Sequence, residues 1–443
     1  MKLNTKRTVL IGFAFLSICA FWQMYNNVIP LILTNTFHLN ETLSGIIMAA
    51  DNVLALFLLP LFGALSDRCR SPLGRRMPFI LFGTGAAAAL MLLLPLLDNS
   101  YAAQPAAWKF IAFICVLGAL LVAMGIYRSP AVALMPDLTP KPLRSRGNAI
   151  INLMGAAGGI LYLLLASVLY SSKRTAGLGH VSYTLLFAAV AVIMFVSAAV
   201  VSATIRERKL EGEMRAWEQA HPEENLAVHD DSGNEVLPVP VRRSLGFLLT
   251  SIALWYIGYN AVETWFTTYA NHVWGMSLGG ASVCLTVATV GAIFSYIPVG
   301  AVASKIGRKK TIQFGIALLA LCFFVMFLYT LIFDQFSPVL YFLFACVGLA
   351  WAAINVNSLP MVVEMCRGSD IGKFTGYYYT FSMAAQTITP IAAGALLKSV
   401  GYVTLFPYAA FAVVCSFFTM LFVRHGDSKL PGKAGLERFD AEM

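Results

Sequence analysis

Apolar stretches of about 20 or more residues, long enough to cross the hydrocarbon core of a bilayer, recur twelve times along this chain. They fall at 8–33, 42–65, 77–97, 109–134, 147–170, 181–205, 244–270, 280–303, 311–333, 338–363, 371–398 and 402–423. In lipid a segment must satisfy its own backbone polar groups, so runs of this length predict helices. The fold class that follows is an all-α membrane protein with twelve transmembrane helices. Composition agrees: 12% of residues are charged, whereas a soluble domain carries roughly 25%.

An even number of crossings puts both termini on one side. With the N-terminus inside, the 31 Lys and Arg divide into 26 inside, four outside (Lys109, Lys173, Arg174, Lys398) and one within a segment (Arg128). Short internal loops hold the basic excess, which predicts cytoplasmic termini in a multi-pass protein of the cell (inner or plasma) membrane. The first apolar run continues to Leu33, too far for a secretory signal, and is read as a retained helix.

The polar interval 206–243 divides the segments six and six. It predicts a short amphipathic helix over 206–219 followed by a flexible linker, with too few apolar residues for a core. The expected organisation is a six-helix bundle over 1–205, a linker over 206–243, a second six-helix bundle over 244–423 and a tail over 424–443. The halves echo each other. Pro60 and Ser66 before one basic loop match Pro298 and Ser304 before another, and the segment at Asp137 matches that at Glu364. Such internal symmetry is expected of pseudo-symmetric bundles.

Charge within an apolar segment is costly and points to function. Asp51 lies about nine residues into the second segment, and Arg128 about ten before the polar stretch from Asp137 that follows the fourth. At ~1.5 Å per residue both sit near mid-depth. They are expected to pair, or share a cavity, and with Glu263 form the candidate proton-coupling set. A fixed ion pair that only locks helices together is the competing reading. At similar depth lie Trp22, Gln23, Asn26, Asn27, Tyr127, Asn152, Tyr256, Tyr259, Asn260, Asn355, Tyr378 and Gln386. Amides and hydroxyls supply directional hydrogen bonds, and aromatic faces suit the C–H surface of a sugar ring. These residues, with Arg128, are the candidate substrate contacts.

The loop 63–79 reads G-A-L-S-D-R-C-R-S-P-L-G-R-R-M-P-F, with four arginines between two apolar segments. Asp67, Arg68, Gly74 and Arg75, with Asp137, Arg146, Glu364 and Lys373, form a candidate cytoplasmic gate of breakable ion pairs. Eight scattered cysteines and six histidines show no metal-ligand spacing. No metal, cofactor or nucleic-acid partner is expected. Nor does any nucleophile–base pattern suggest an enzyme.

The loop pattern G-x-x-S-D-R-x-x-S-x-x-G-R-R-x-P-F resembles that of the sucrose transporter group and of the glycoside–pentoside–hexuronide cation symporters, both in the major facilitator superfamily. Ser129-Pro130-Ala-Val-Ala-Leu-Met-Pro136-Asp137-Leu-Thr-Pro140 and Arg144-Ser-Arg146-Gly-Asn148-Ala149 are similar to further segments of these groups. The resemblance implies the major facilitator fold with a substrate site near mid-depth, and a monomer. It implies uptake of a disaccharide or other glycoside with protons. One departure concerns the ion. Where the sodium-coupled relatives place acids, this chain has Ala55, Leu59 and Arg128. The alternative function is a major facilitator exporter of drugs or metabolites by proton antiport.

Overall fold

The computed structural model describes residues 4–139, 144–175, 177–220, 238–333, 335–365 and 371–427. Among the described residues, twelve helices are long and apolar enough to span a membrane. The first six are α1 (Thr5–Leu31), α2 (Glu41–Arg68), α3 (Met77–Ala103), α4 (Ala107–Asp137), α5 (Arg144–Leu169) and α6 (Thr184–Thr204). The interval that follows opens with the amphipathic helix α7 (Glu207–Ala220). The last six are α8 (Val239–Trp274), α9 (Leu278–Ile306), α10 (Arg308–Ile332), α11 (Leu340–Glu364), α12 (Ile371–Ser399) and α13 (Leu405–Leu421).

Several helices overrun the apolar stretches that predict them. The seventh apolar stretch, 244–270, becomes α8 from Val239 to Trp274, because polar end residues continue the backbone ladder beyond the lipid-length core. Prolines occur within most spans, including Pro30, Pro60, Pro130, Pro298, Pro360 and Pro390. Membrane helices tolerate them where neighbouring groups take up the freed carbonyls. Beyond Pro30 in α1, the Thr34 hydroxyl donates to the Pro30 carbonyl at 2.9 Å, and the helix widens into a π turn over Ile32–Thr36.

The described residues form two units, one of 4–39 and 50–220, the other of 40–49 and 238–427. In the first, α1 packs on α5 and α6, and α3 packs on α4 and α6. Gly158 of α5 lies so close to Leu16 of α1 that a side chain there would meet its carbonyl, the small-residue packing that membrane helices favour. In the second unit α8 packs on α12 and α13, α10 on α11 and α13, and α9 on α11. Its core is strongly aromatic, with Trp255, Trp265, Phe266, Tyr269, Phe323 and Phe406 fully buried.

Candidate functional site

In the first unit, α1 and α4 bring a cation onto an aromatic face. The Arg128 guanidinium stands 5.4 Å from the centre of the Trp22 ring, close enough for a cation–π attraction. Trp22 is itself held edge-on by Phe21 at 5.1 Å and Tyr25 at 5.4 Å. Asp51 of α2 interacts electrostatically with Arg128 and accepts a hydrogen bond from Asn52 Nδ2 at 2.9 Å. The indole N–H of Trp22 and the hydroxyl of Tyr25 are buried without a hydrogen-bond partner. A buried polar group is normally satisfied, so this cluster has donors to spare for a bound molecule or water.

Other expected contacts go elsewhere. Tyr127 is fully buried; its hydroxyl donates to the Ala14 carbonyl at 2.9 Å and shares a hydrogen bond with Ser17 Oγ at 2.5 Å. It therefore packs α4 on α1. Asn27 Nδ2 donates to the Gln23 carbonyl one turn earlier, at 2.5 Å. Gln23 and Asn26 are half-buried, and Asn152 is exposed on α5.

The second unit carries an aromatic and amide cluster. Tyr259 stacks on Trp351 at 3.7 Å with an interplanar angle of 10°, and Tyr256 meets the same ring edge-on at 5.4 Å. The Tyr256 hydroxyl shares a hydrogen bond with that of Tyr378 at 3.1 Å, and Tyr378 reaches Ser358 Oγ at 3.3 Å. Glu263 is hydrogen-bonded by Asn260 and interacts electrostatically with Tyr259. Asn355 is hydrogen-bonded to Tyr296. Gln386 donates to its own helix, at the Ser382 carbonyl, 3.2 Å away. Trp351 and Tyr296 were not among the candidates from sequence. Trp351 stands four positions before Asn355 on α11, a helical spacing that places both on one face.

At its basic end the first unit is tied by a charge clamp. Arg76 is 5% exposed; its Nε donates to Asp137 Oδ2 at 2.9 Å, and its Nη2 pairs with Asp67. Arg75 pairs with Glu211 at 2.5 Å and lies 3.7 Å from Asp137. Glu207, the first residue of α7, accepts the backbone N–H groups of Arg75, Arg76 and Met77 at 2.9, 2.8 and 3.0 Å. It thereby caps α3 from 131 positions later in the chain. Burial raises the Glu207 carboxyl above its ordinary range, against the three N–H groups that favour its charge. Gly74 has φ +118°, and a side chain there would strike Glu207, so the turn needs glycine. Arg68 is exposed and stands apart from these pairs.

The second unit repeats the arrangement. Arg308, at the start of α10, pairs with Glu364 at the end of α11. Its N–H donates to Asp427 at 2.6 Å, and Gly307 has φ +100° beside that carboxylate. Glu364 was expected to pair with Arg367 and Lys373, and Asp137 with Arg144 and Arg146; those four basic side chains lie outside the described residues. The partners seen for these acids, Arg308 and Arg76, come from the starts of α10 and α3. Sequence reading also missed Glu207 and Glu211, although their spacing of four on an amphipathic helix marks a shared face.

A family model described as Major Facilitator Superfamily matches residues 11–332 and 271–441. The chain is 33% identical over 126 residues to the mouse (Mus musculus) protein named "Proton-associated sugar transporter A", a stretch covering 27% of this chain and 17% of that one. It is 32% identical over 126 residues to the Arabidopsis thaliana protein named "Sucrose transport protein SUC4", covering 27% and 25%. The matched stretch thus spans about a quarter or less of either relative. Among solved structures, a bacterial homologue of the iron transporter ferroportin superposes with a TM-score of 0.68 at 11% identity, covering 95% of this chain and 99% of that one. The xylose transporter XylE from E. coli gives 0.67 at 16% identity, covering 99% and 98%. At such identities these likenesses establish a shared fold.

Proposed function

Since the chain belongs to the Major Facilitator Superfamily, a family of transporters rather than enzymes, we propose that it takes up a sugar, a disaccharide or other glycoside, together with protons by alternating access. The carrying observation is the Arg128 guanidinium held over Trp22 with Asp51 in electrostatic reach. Ionised Asp51 attracts Arg128. When Asp51 takes a proton, Arg128 is released to donate hydrogen bonds to sugar hydroxyls, and the spare donors of Trp22 and Tyr25 add to them. In the second unit, the stacked rings around Trp351 and the Asn260–Glu263 pair likewise combine an apolar face with acceptors, the chemistry a sugar ring needs. The names of the relatives matched over part of the chain support the sugar reading. Both termini are proposed to be cytoplasmic, in the cell membrane, with the two clamps on the cytoplasmic side and the carrier acting as a monomer.

The test is uptake of a labelled disaccharide panel into vesicles, with and without an imposed pH gradient. With one proton per sugar, a gradient of about one pH unit supports up to about tenfold accumulation. Asp51→Asn is expected to abolish accumulation while retaining counterflow, and Arg128→Ala to weaken sugar binding. Intact accumulation by Asp51→Asn removes the coupling role. Failure of every sugar to show counterflow removes the substrate class and favours export.

A further inference from the structure

The end of the first unit opposite its clamp holds a buried carboxyl that the transport reading does not use. Asp98, near the end of α3, has no exposed surface. Neither of its oxygens makes a hydrogen bond of ordinary geometry. Two polar groups face it: the Thr36 hydroxyl, on the π turn of α1, and His180 Nε2, 3.5 Å from Oδ2. His180 belongs to the connection between α5 and α6, and the same nitrogen lies 2.9 Å from Asn99 Oδ1. Asn99 Nδ2 in turn donates to Ser182 Oγ at 2.9 Å and Thr184 Oγ1 at 3.0 Å. The end of α3 therefore holds this connection through one amide and one acid–imidazole contact.

We propose that Asp98 and His180 hold one titratable proton between them as an electrostatic pair, the Nε2–H itself being donated to Asn99, and that this proton latches the α5–α6 connection onto the end of α3. The other ionisable groups at this end leave the pair to itself. Lys109, from α4, spends its ammonium on the carbonyls of Ser100 and Gln104 at 2.7 and 2.8 Å. Lys173 and Arg174 are exposed. Tyr183 packs beside Asp98 and Tyr170, and the Tyr170 hydroxyl donates to the Ser182 carbonyl at 2.9 Å.

The sign follows from burial. With one proton, the pair carries no net charge, whether the proton sits on oxygen or nitrogen. Without it, a bare carboxylate remains where no water reaches, which is strongly disfavoured. A second proton leaves an unpaired imidazolium beside a neutral acid. Burial lowers the affinity of His180 for a proton, which disfavours that second proton further. Once the connection lifts away, the groups return to about 3.9 and 6.5, and both are deprotonated at mildly alkaline pH. The docked form then binds one proton more than the lifted form. Docking is full between about pH 3.9 and about pH 6.5 and is lost as pH rises through the value of the docked pair. The latch reads the pH of the compartment that this end faces.

Hydrogen–deuterium exchange of the full chain in nanodiscs tests this without measuring transport, so its failure is separate from failure of the carrier reading. Between about pH 6 and about pH 8.5, which bracket the free histidine value, exchange over 177–184, corrected for intrinsic rate, is expected to rise about tenfold. Asp98→Asn keeps a polar contact to His180 without a titratable acid and should show no such rise. His180→Gln, which keeps an amide facing both Asp98 and Asn99, should be equally flat. A wild type without the rise, or a rise that persists in both variants, overturns the proposal.

Discussion

Each unit closes its basic end with an arginine at a helix start, an acid at a helix end and a carboxylate from beyond its last span, but the two are built to different strengths. In the first, Glu207 accepts three backbone N–H groups and Arg76 is almost fully buried between Asp67 and Asp137. In the second, Asp427 accepts one from Arg308, which is about a quarter exposed, as is its partner Glu364. The connection explains the difference. Residues 69–76 separate α2 from α3, whereas Gly307 alone separates α9 from α10. Fixing each backbone residue costs about 1–2 kcal/mol, so the longer loop needs more contacts to stay ordered. Where the chain itself holds two helices end to end, one carboxylate suffices.

The largest break in this comparison should come from the arginines. Arg76→Ala removes a buried guanidinium shared by two acids and should cost the first unit about 2–3 kcal/mol. Arg308→Ala removes a more exposed guanidinium with one paired acid and should cost about 1–2 kcal/mol. Thermal unfolding in detergent reads both, and equal losses would refute the ranking. Smaller is the gap between the capping carboxylates: Glu207→Ala should cost about 2 kcal/mol and Asp427→Ala about 1 kcal/mol. Amide exchange in the first turns of α3 and α10 separates them. Least different should be Gly74→Ala and Gly307→Ala. Each forces a side chain into positive-φ backbone at about 1–3 kcal/mol, and because a side chain at Gly74 also strikes Glu207, its loss should exceed that at Gly307 by no more than the gap between the capping carboxylates, about 1 kcal/mol. A larger disagreement would mean that the two turns do not do the same job.

The spans were legible because lipid leaves a long apolar run one way to satisfy its backbone. The amphipathic helix α7 was legible from its charge pattern. What a single sequence withholds is the rotation of each helix about its axis, and so the neighbour each polar residue meets. Tyr127 and Arg128 are adjacent and lie about 100° apart around α4. One is spent on Ser17 and Ala14, while the other reaches Trp22. Both read alike as polar groups at mid-depth. Asn152, at similar depth, is exposed. Glu207 escaped for another reason: its role is to cap a helix that begins 131 positions before Arg76's partner is reached. Local spacing carries no trace of so distant a contact.

The wide turn Ile32–Thr36 fixes a phase as well as a shape. Phe37 N–H reaches back five positions to the Ile32 carbonyl at 3.2 Å, so α1 carries one residue more than an ordinary turn would hold. Deleting one residue there would restore regular pitch and swing everything beyond it by about 100° around the axis. Thr36 would then leave Asp98, although no residue of the α3 terminus had been altered. A change of chain length, rather than of side-chain chemistry, would be felt by an acid on another helix.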